Sequence, residues 1–262
     1  NLPRSSWEDY NKKLISAGGG VFSRKLKSID LTPQIKSLLG FAEDVRNFSA
    51  QANVVSIENS YRTDLFFQSN KMEARNRLAL PVDAPILLAV GLFVPKKGHR
   101  FLIDAMPAVL EKFPKAKLYI VGGGMLKAEL ETFIKMKKLT KSIHLINNIP
   151  QSQLPDWYRS ADVYCMPSLN EPFGIALVEA MACGVPPIAT QTQGPSQIIL
   201  DNETGFLLPA EDSNAFSNKI LELLENPDRR QQMGQKAAAD VGQKYAFQEE
   251  KIAALYRKIL GM

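Results

Sequence analysis

From Pro85 onward the hydrophobic pattern repeats in one unit. A short apolar run is followed by a loop marked with glycine or proline, then by a longer stretch whose apolar residues recur at helical spacing. The short runs are Ile86–Val90, Leu118–Val121, Ile143–Ile146, Asp162–Met166 and Pro187–Ala189. Apolar residues fill successive positions there, so both faces of each strand are expected to be covered, as parallel strands between two helical layers require. Residues 98–113, 125–138, 151–160 and 174–183 supply the helices between them. This alternation predicts an α/β fold, a doubly wound, Rossmann-like parallel sheet with right-handed crossovers. Ligands of such sheets bind beyond the carboxyl ends of the strands, which narrows the search for function to those loops.

After Gly205-Phe206-Leu207-Leu208, stretches at about 211–225, 228–243 and 247–260 read as closing helices, with Asn226-Pro227 dividing the first two. Residues 1–52 are poor in strand-like runs and are broken by Gly18-Gly19-Gly20 and Pro33. A helix over 33–50 suits their pattern, whereas a second complete α/β domain does not.

Composition excludes several classes. The 262 residues hold 32 Lys plus Arg against 27 Asp plus Glu, a net charge of +5, with 45% hydrophobic and 23% charged residues. Disordered, collagenous and coiled-coil chains need stronger bias, and no apolar run approaches the ~18 residues of a membrane span. Cys165 and Cys183 are too few for a disulfide framework and lie in apolar segments, which suits buried thiols in a reducing cytoplasm. The chain opens at Asn1 with no secretory pattern behind it. Its basic residues are scattered, and the densest stretches, Ser23–Lys27 and Lys135–Lys141, read as solvated faces, so no nucleic-acid partner is expected.

Candidate chemistry sits in three loops. The first strand runs into Gly91-Leu92-Phe93-Val94-Pro95-Lys96-Lys97-Gly98 and then a helix, where unpaired N–H groups and Lys97 together could meet a phosphate. The alternative is a solvated lysine pair in a turn. Gly122-Gly123-Gly124 follows the second strand, but Lys127 stands where the third glycine of a dinucleotide-binding motif belongs, and the first strand should carry that motif. The fourth strand leads through Pro167-Ser168-Leu169-Asn170-Glu171-Pro172-Phe173-Gly174 into a nearly all-apolar helix containing Glu179. A helix apolar all round is buried, and a buried carboxylate needs a partner. Glu179 could accept hydrogen bonds from the paired hydroxyls of a ribose, or it could pair with a local cation. Glu171, before the same helix, could face a ligand or cap the helix. His144 reads as a hydrogen-bonded strand residue and His99 as an exposed helix-start residue. No Cys/His/Asp cluster has metal-ligand spacing, and no serine or cysteine motif supports a hydrolytic triad.

In order and spacing, Gly91–Gly98, Val121–Leu126, Ser160–Val163, Pro167–Gly174, Glu179–Gly184 and Thr204–Leu208 resemble the C-terminal domain of retaining GT-B glycosyltransferases, the family of sucrose and glycogen synthases. The resemblance covers roughly residues 53–262 and is most specific over 160–208. It implies a nucleotide-diphosphate-sugar donor, retention of anomeric configuration, and no bound metal or other cofactor. It implies that Lys97 binds the donor diphosphate and stabilises the leaving group. Glu171 would place the sugar, with Gly91, Phe173 and Gly174 around the donor. Leu177 and Val178 would lie near the phosphates, and Glu179 would hold the ribose. Leu92 stands where the family usually has an arginine, Gln193 replaces a usual glycine, Gln197 a usual glutamate, and Asn147 a usual glycine. The segment Asn59–Phe66 occupies the place of the interdomain motif, with Arg62 where an acidic residue is usual.

The family's N-terminal acceptor domain cannot fit within residues 1–52. The expected organisation is therefore an N-terminal segment, 1–52, as a remnant of that domain, and a donor-binding domain over 53–262. The acceptor domain would then be missing or supplied separately. The expected function is a cytoplasmic hexosyltransferase, represented mainly by its donor-binding part, with an unspecified acceptor. Two rivals stand beside it: a catalytically silent binding module of the same fold, and a basic surface that makes peripheral contact with anionic lipid.

Overall fold

The computed structural model describes residues 59–147 and 149–246. Residues 59–247 form one compact unit. The expected boundary at 52/53, the helix over 33–50, the basic stretch 23–27 and the third closing helix at 247–260 lie outside the described residues.

Six strands form one sheet: β1 (Ile86–Val90), β2 (Lys117–Val121), β3 (Ile143–Ile146), β4 (Val163–Met166), β5 (Pro187–Thr190) and β6 (Phe206–Leu208). All neighbours pair in parallel in the order β3-β2-β1-β4-β5-β6. The sheet grows one way from β1 to β3 and the other way from β4 to β6, so the switch point lies between β1 and β4, where Leu87 faces Val163. The doubly wound α/β sheet expected from the sequence is present, with β6 as a sixth strand beyond the five anticipated.

The helices are α1 (Lys71–Arg77), α2 (His99–Lys112), α3 (Lys127–Met136), α4 (Leu154–Ser160), α5 (Ile175–Ala182), α6 (Gln193–Ile198), α7 (Ser213–Glu225) and α8 (Pro227–Lys244). Leu87 and Ala89 of β1 point into a core shared with Leu102 and Met106 of α2, Leu130 of α3 and Phe216 of α7. Ile86 and Leu88 point the other way, into a core with Tyr158 of α4, Leu177 and Met181 of α5 and Val241 of α8. Alternate residues of one buried strand thus feed two cores, which is why the runs read as continuously apolar.

At the amino end of the sheet, Asp162 ties two helices, α1 and α8, to β1 and β4. Its carboxylate accepts from Lys71 Nζ and Arg75 Nη2, each at 2.7 Å, and from the Ile86 amide at 2.8 Å. Arg230 of α8 lies 3.8 Å away. Arg75 also donates to the carbonyls of Ser160, Val82 and Ala84. The Ser160–Val163 motif therefore builds the scaffold at the end opposite the loops that carry the candidate site residues.

Candidate active site

Three loops interlock at the carboxyl end of the sheet. Beyond β1, Gly91 donates to Val121 O at 2.9 Å, a single 3-10 turn covers Pro95–Lys97, and Gly98 starts α2 at φ +62°. A side chain at Gly98 would put its Cβ 2.0 Å from the Pro167 carbonyl oxygen, so only glycine lets this loop lie against the one after β4. There the Leu169 amide donates to Lys96 O at 2.7 Å, and the Gly194 amide donates to Glu171 O at 2.9 Å.

This interlocking brings the two expected catalytic residues together. The Lys97 stem runs past Gly91, and its Nζ stands 2.5 Å from Glu171 Oε2. Their side chains are only 19% and 11% exposed. A largely shielded cation and a carboxylate thus meet at the switch point, one from the β1 loop and one from the β4 loop. Gly174 follows at φ +100° and opens α5, with its Cβ position 3.4 Å from Glu171 Cγ. Phe173 meets Tyr245 edge-on, with centroids 5.6 Å apart.

Leu177 and Val178, expected near the phosphates, lie in the first turn of α5. Both side chains are fully buried, and both amides are bonded to Gly174 O, at 2.9 and 3.2 Å. The first-turn N–H groups left without an intrahelical acceptor belong to Gly174, Ile175 and Ala176. The physical reason for the burial of Leu177 and Val178 is periodicity: positions three and four residues into an all-apolar helix point at the core.

Glu179 is buried one turn further along α5, and its partner is Tyr158 of α4, whose hydroxyl donates to Oε2 at 2.9 Å. Among the described residues no cation pairs with it, so the local-cation alternative fails. Burial pushes its carboxyl up to about 7, with the Tyr158 hydrogen bond opposing. The buried phenol of Tyr164 on β4 is raised well above its ordinary value, by burial and then by the charges of Glu171 and Glu179.

A pH dependence of stability follows from Glu179. Between about pH 4.5 and 7 the folded chain keeps a proton that the unfolded chain has released, so stability falls as pH rises through that interval and the loss is complete above it. Glu179→Gln, which still accepts from Tyr158, is expected to be about 1–3 kcal/mol more stable than the parent at pH 8 and no more stable at pH 4. Urea unfolding at both pH values measures this, and an equal difference at both would refute it.

The glycines after β2 serve packing. A Cβ at Gly122 would lie 1.9 Å from Gly91 O and one at Gly124 2.7 Å from Phe93 O, while Phe93 donates to Gly123 O at 2.8 Å. They let the β1 and β2 loops touch backbone to backbone. His99 is buried, contrary to expectation, because Phe93 packs edge-on to its ring at 5.7 Å. Its Nε2 meets Leu92 O at 3.1 Å, and burial lowers its pKa to about 4. His144 stacks on Tyr119 at 5.0 Å. Cys165 and Cys183 are buried free thiols, and burial pushes Cys183 up to about 12. Leu92, in the usual arginine's place, is 60% exposed. Lys137, in the basic 135–141 stretch, is taken up by Asp104 at 2.5 Å. Among the described residues no helix is long and apolar enough to cross a membrane. Tyr158 is the residue that motif reading missed, since a tyrosine in Leu154-Pro155-Asp156-Trp157-Tyr158 looks like ordinary core.

A doubly wound sheet with a lysine–glutamate pair at its switch point defines an open α/β protein, a class whose ligands bind outside the carboxyl ends of the strands at that point. Residues 70–240 match the family model of glycosyl transferases group 1, and the chain belongs to that family. A second model, bacterial NAD-glutamate dehydrogenase, catalytic domain, matches residues 1–84, which lie mostly outside the described residues. The chain is 31% identical over 206 residues to D-inositol 3-phosphate glycosyltransferase 2 of Catenulispora acidiphila, covering 75% of this chain and 48% of that protein. It is 30% identical over 195 residues to the GDP-mannose-dependent alpha-(1-6)-phosphatidylinositol monomannoside mannosyltransferase of Mycolicibacterium smegmatis, covering 71% and 51%. The solved sucrose-phosphate synthase from Thermosynechococcus elongatus superposes with a TM-score of 0.75 at 30% identity, over 92% of this chain and 61% of that one. The chain thus spans about half the length of these curated relatives. The resemblance to the C-terminal GT-B domain read from the motifs is confirmed.

Proposed function

We propose that the chain is the donor-binding part of a retaining glycosyltransferase that moves a hexose from a nucleotide-diphosphate sugar to an acceptor bound mainly by a further domain. The observation that carries this reading is the Lys97–Glu171 pair, held by interlocked loops beside the amino end of α5. In the proposed mechanism Lys97 and the free amides of Gly174, Ile175 and Ala176 meet the diphosphate. Charge developing on the leaving group then finds fixed donors without reorganisation. Glu171, drawn from Lys97 toward the sugar hydroxyls, sets the sugar's position, and Glu179 accepts from the ribose. These roles call for no resident metal, since cation and amides take the diphosphate's charge. The GDP-mannose dependence named for one relative makes GDP sugars the first donors to try.

Calorimetric titration with UDP, GDP, ADP and their sugars tests the reading. Saturable binding of one series, lost in Lys97→Ala and weakened in Glu179→Ala, is expected. Binding of none of them would support the silent-module reading instead, which the exposed Leu92 favours.

A further inference from the structure

Glu179 is an isolated acid. Within the described residues its carboxylate forms no ion pair, and its side-chain hydrogen bond comes from Tyr158 Oη at 2.9 Å. Tyr158 reaches it from α4, a different element with its own anchoring. Its ring is fully buried, edge-on to Phe66 and to Tyr164 with centroids 5.8 Å away in each case. Burial and the neighbouring Glu179 charge hold the phenol well above its ordinary range, so it remains a donor at any working pH. The other titratable groups whose electrostatics couple to Glu179 are Tyr164 on β4 and Cys183, which caps the carboxyl end of α5. The buried face of α8, which includes Gly234, Ala237 and Val241, brings no titratable side chain against α5.

A carboxylate in such surroundings has two faults as a receptor for hydroxyls. It rotates freely about its last torsion, and it tends to pick up a proton, after which it is no longer a pure acceptor. A single fixed donor on Oε2 corrects both. We infer that Tyr158 is a positioning residue for donor binding, its hydroxyl fixing the Glu179 carboxylate so that the remaining oxygen meets a ligand diol in one orientation. The inference rests on the reading of Glu179 as the ribose acceptor and adds the group through which that carboxylate is held.

The test is Tyr158→Phe, which keeps the ring and deletes the hydroxyl. Affinity for the nucleoside diphosphate bound by the parent chain is measured by calorimetry from pH 5.5 to 8.5, beside its 2′,3′-dideoxy counterpart. In the parent, affinity for the ribonucleotide is expected to fall as the solution is acidified through pH 7, because Glu179 takes up a proton. In Tyr158→Phe, affinity at pH 8 should drop about tenfold for the ribonucleotide and little for the dideoxy compound, and the acid limb should move to higher pH. Glu179→Ala, which removes the group that Tyr158 holds, supplies a second background that does not depend on the first variant's stability. Adding Tyr158→Phe there should cost no further affinity, since Tyr158 acts through the carboxylate. A parent-like affinity and pH profile in Tyr158→Phe would overturn the inference, as would an equal loss for both nucleotides. A parent chain that does not discriminate ribose from dideoxyribose, or binds no nucleotide, would instead overturn the ribose reading and the inference with it.

Discussion

Lys97→Ala is expected to lower transfer by about 10²–10³-fold and to weaken nucleoside diphosphate binding at least about tenfold, with folding unchanged. The side chain lies along Gly91 and is 19% exposed. What is lost is the cation fixed at the amino end of α5. On the proposed reading, with Leu92 in the position of the family's usual arginine, more of the diphosphate charge would rest on this one ammonium. Its pairing with Glu171 sharpens the test. Nζ is held at 2.5 Å by Oε2, so on the proposed reading a diphosphate would have to compete with an internal anion for the same donor. Glu171→Gln removes that competitor and should bind the bare nucleoside diphosphate more tightly, by about two- to tenfold, while binding its sugar conjugate less well relative to it. Opposite movements of Lys97→Ala and Glu171→Gln on the same nucleotide would mark competition. Parallel losses in both would assign the pair a structural role and remove Lys97 from the mechanism.

The sheet was legible because burial on two faces leaves a mark in every strand that spans the domain: β1 and β3 begin and end where their apolar runs do. Phe206–Leu208 did not announce itself as β6, since three residues are too few to show a period, and the edge position was visible only through its pairing with β5. The helix α1 was hidden for a different reason. Its buried positions are Ala74 and Arg75, and a guanidinium on the inner face breaks the apolar stripe by which helices are recognised. Gln193–Ile198 contains Gly194 and Pro195, which read as loop, yet Gly194 is required by the Phe173 carbonyl 1.9 Å from its Cβ position. In the site, the Lys97 and Glu171 loops could be placed at the same end of the sheet by topology alone, but their direct pairing could not. The partner of Glu179 was out of reach for the same reason. Tyr158 and Glu179 are 21 positions apart on different helices, and only the packing of α4 and α5 on one face of the sheet joins them.

Asp162→Asn should be the most destabilising conservative replacement at the other end of the sheet, costing about 3–5 kcal/mol at pH 7 out of the roughly 5–15 kcal/mol typical of a domain. Burial alone would raise the Asp162 carboxyl. The charges of Lys71 and Arg75 and the Ile86 amide outweigh burial and hold it below the ordinary aspartate value. Its contribution is therefore present above about pH 4 and is lost as pH falls through the depressed folded value. An asparagine keeps the shape and one acceptor but leaves the Arg75 guanidinium, 4% exposed, without a counter-charge in the interior. Lys71 is 40% exposed and can turn to solvent, so the penalty falls on Arg75. Urea unfolding should show the deficit in full at pH 7 and a narrowing of it toward pH 3, where the parent also protonates. The paired change Asp162→Asn with Arg75→Met should recover part of the loss, because removing both charges is cheaper than stranding one. If the single variant lost less than about 1 kcal/mol, water would be reaching Arg75, and the charge cluster would not be what clamps α1 to the sheet.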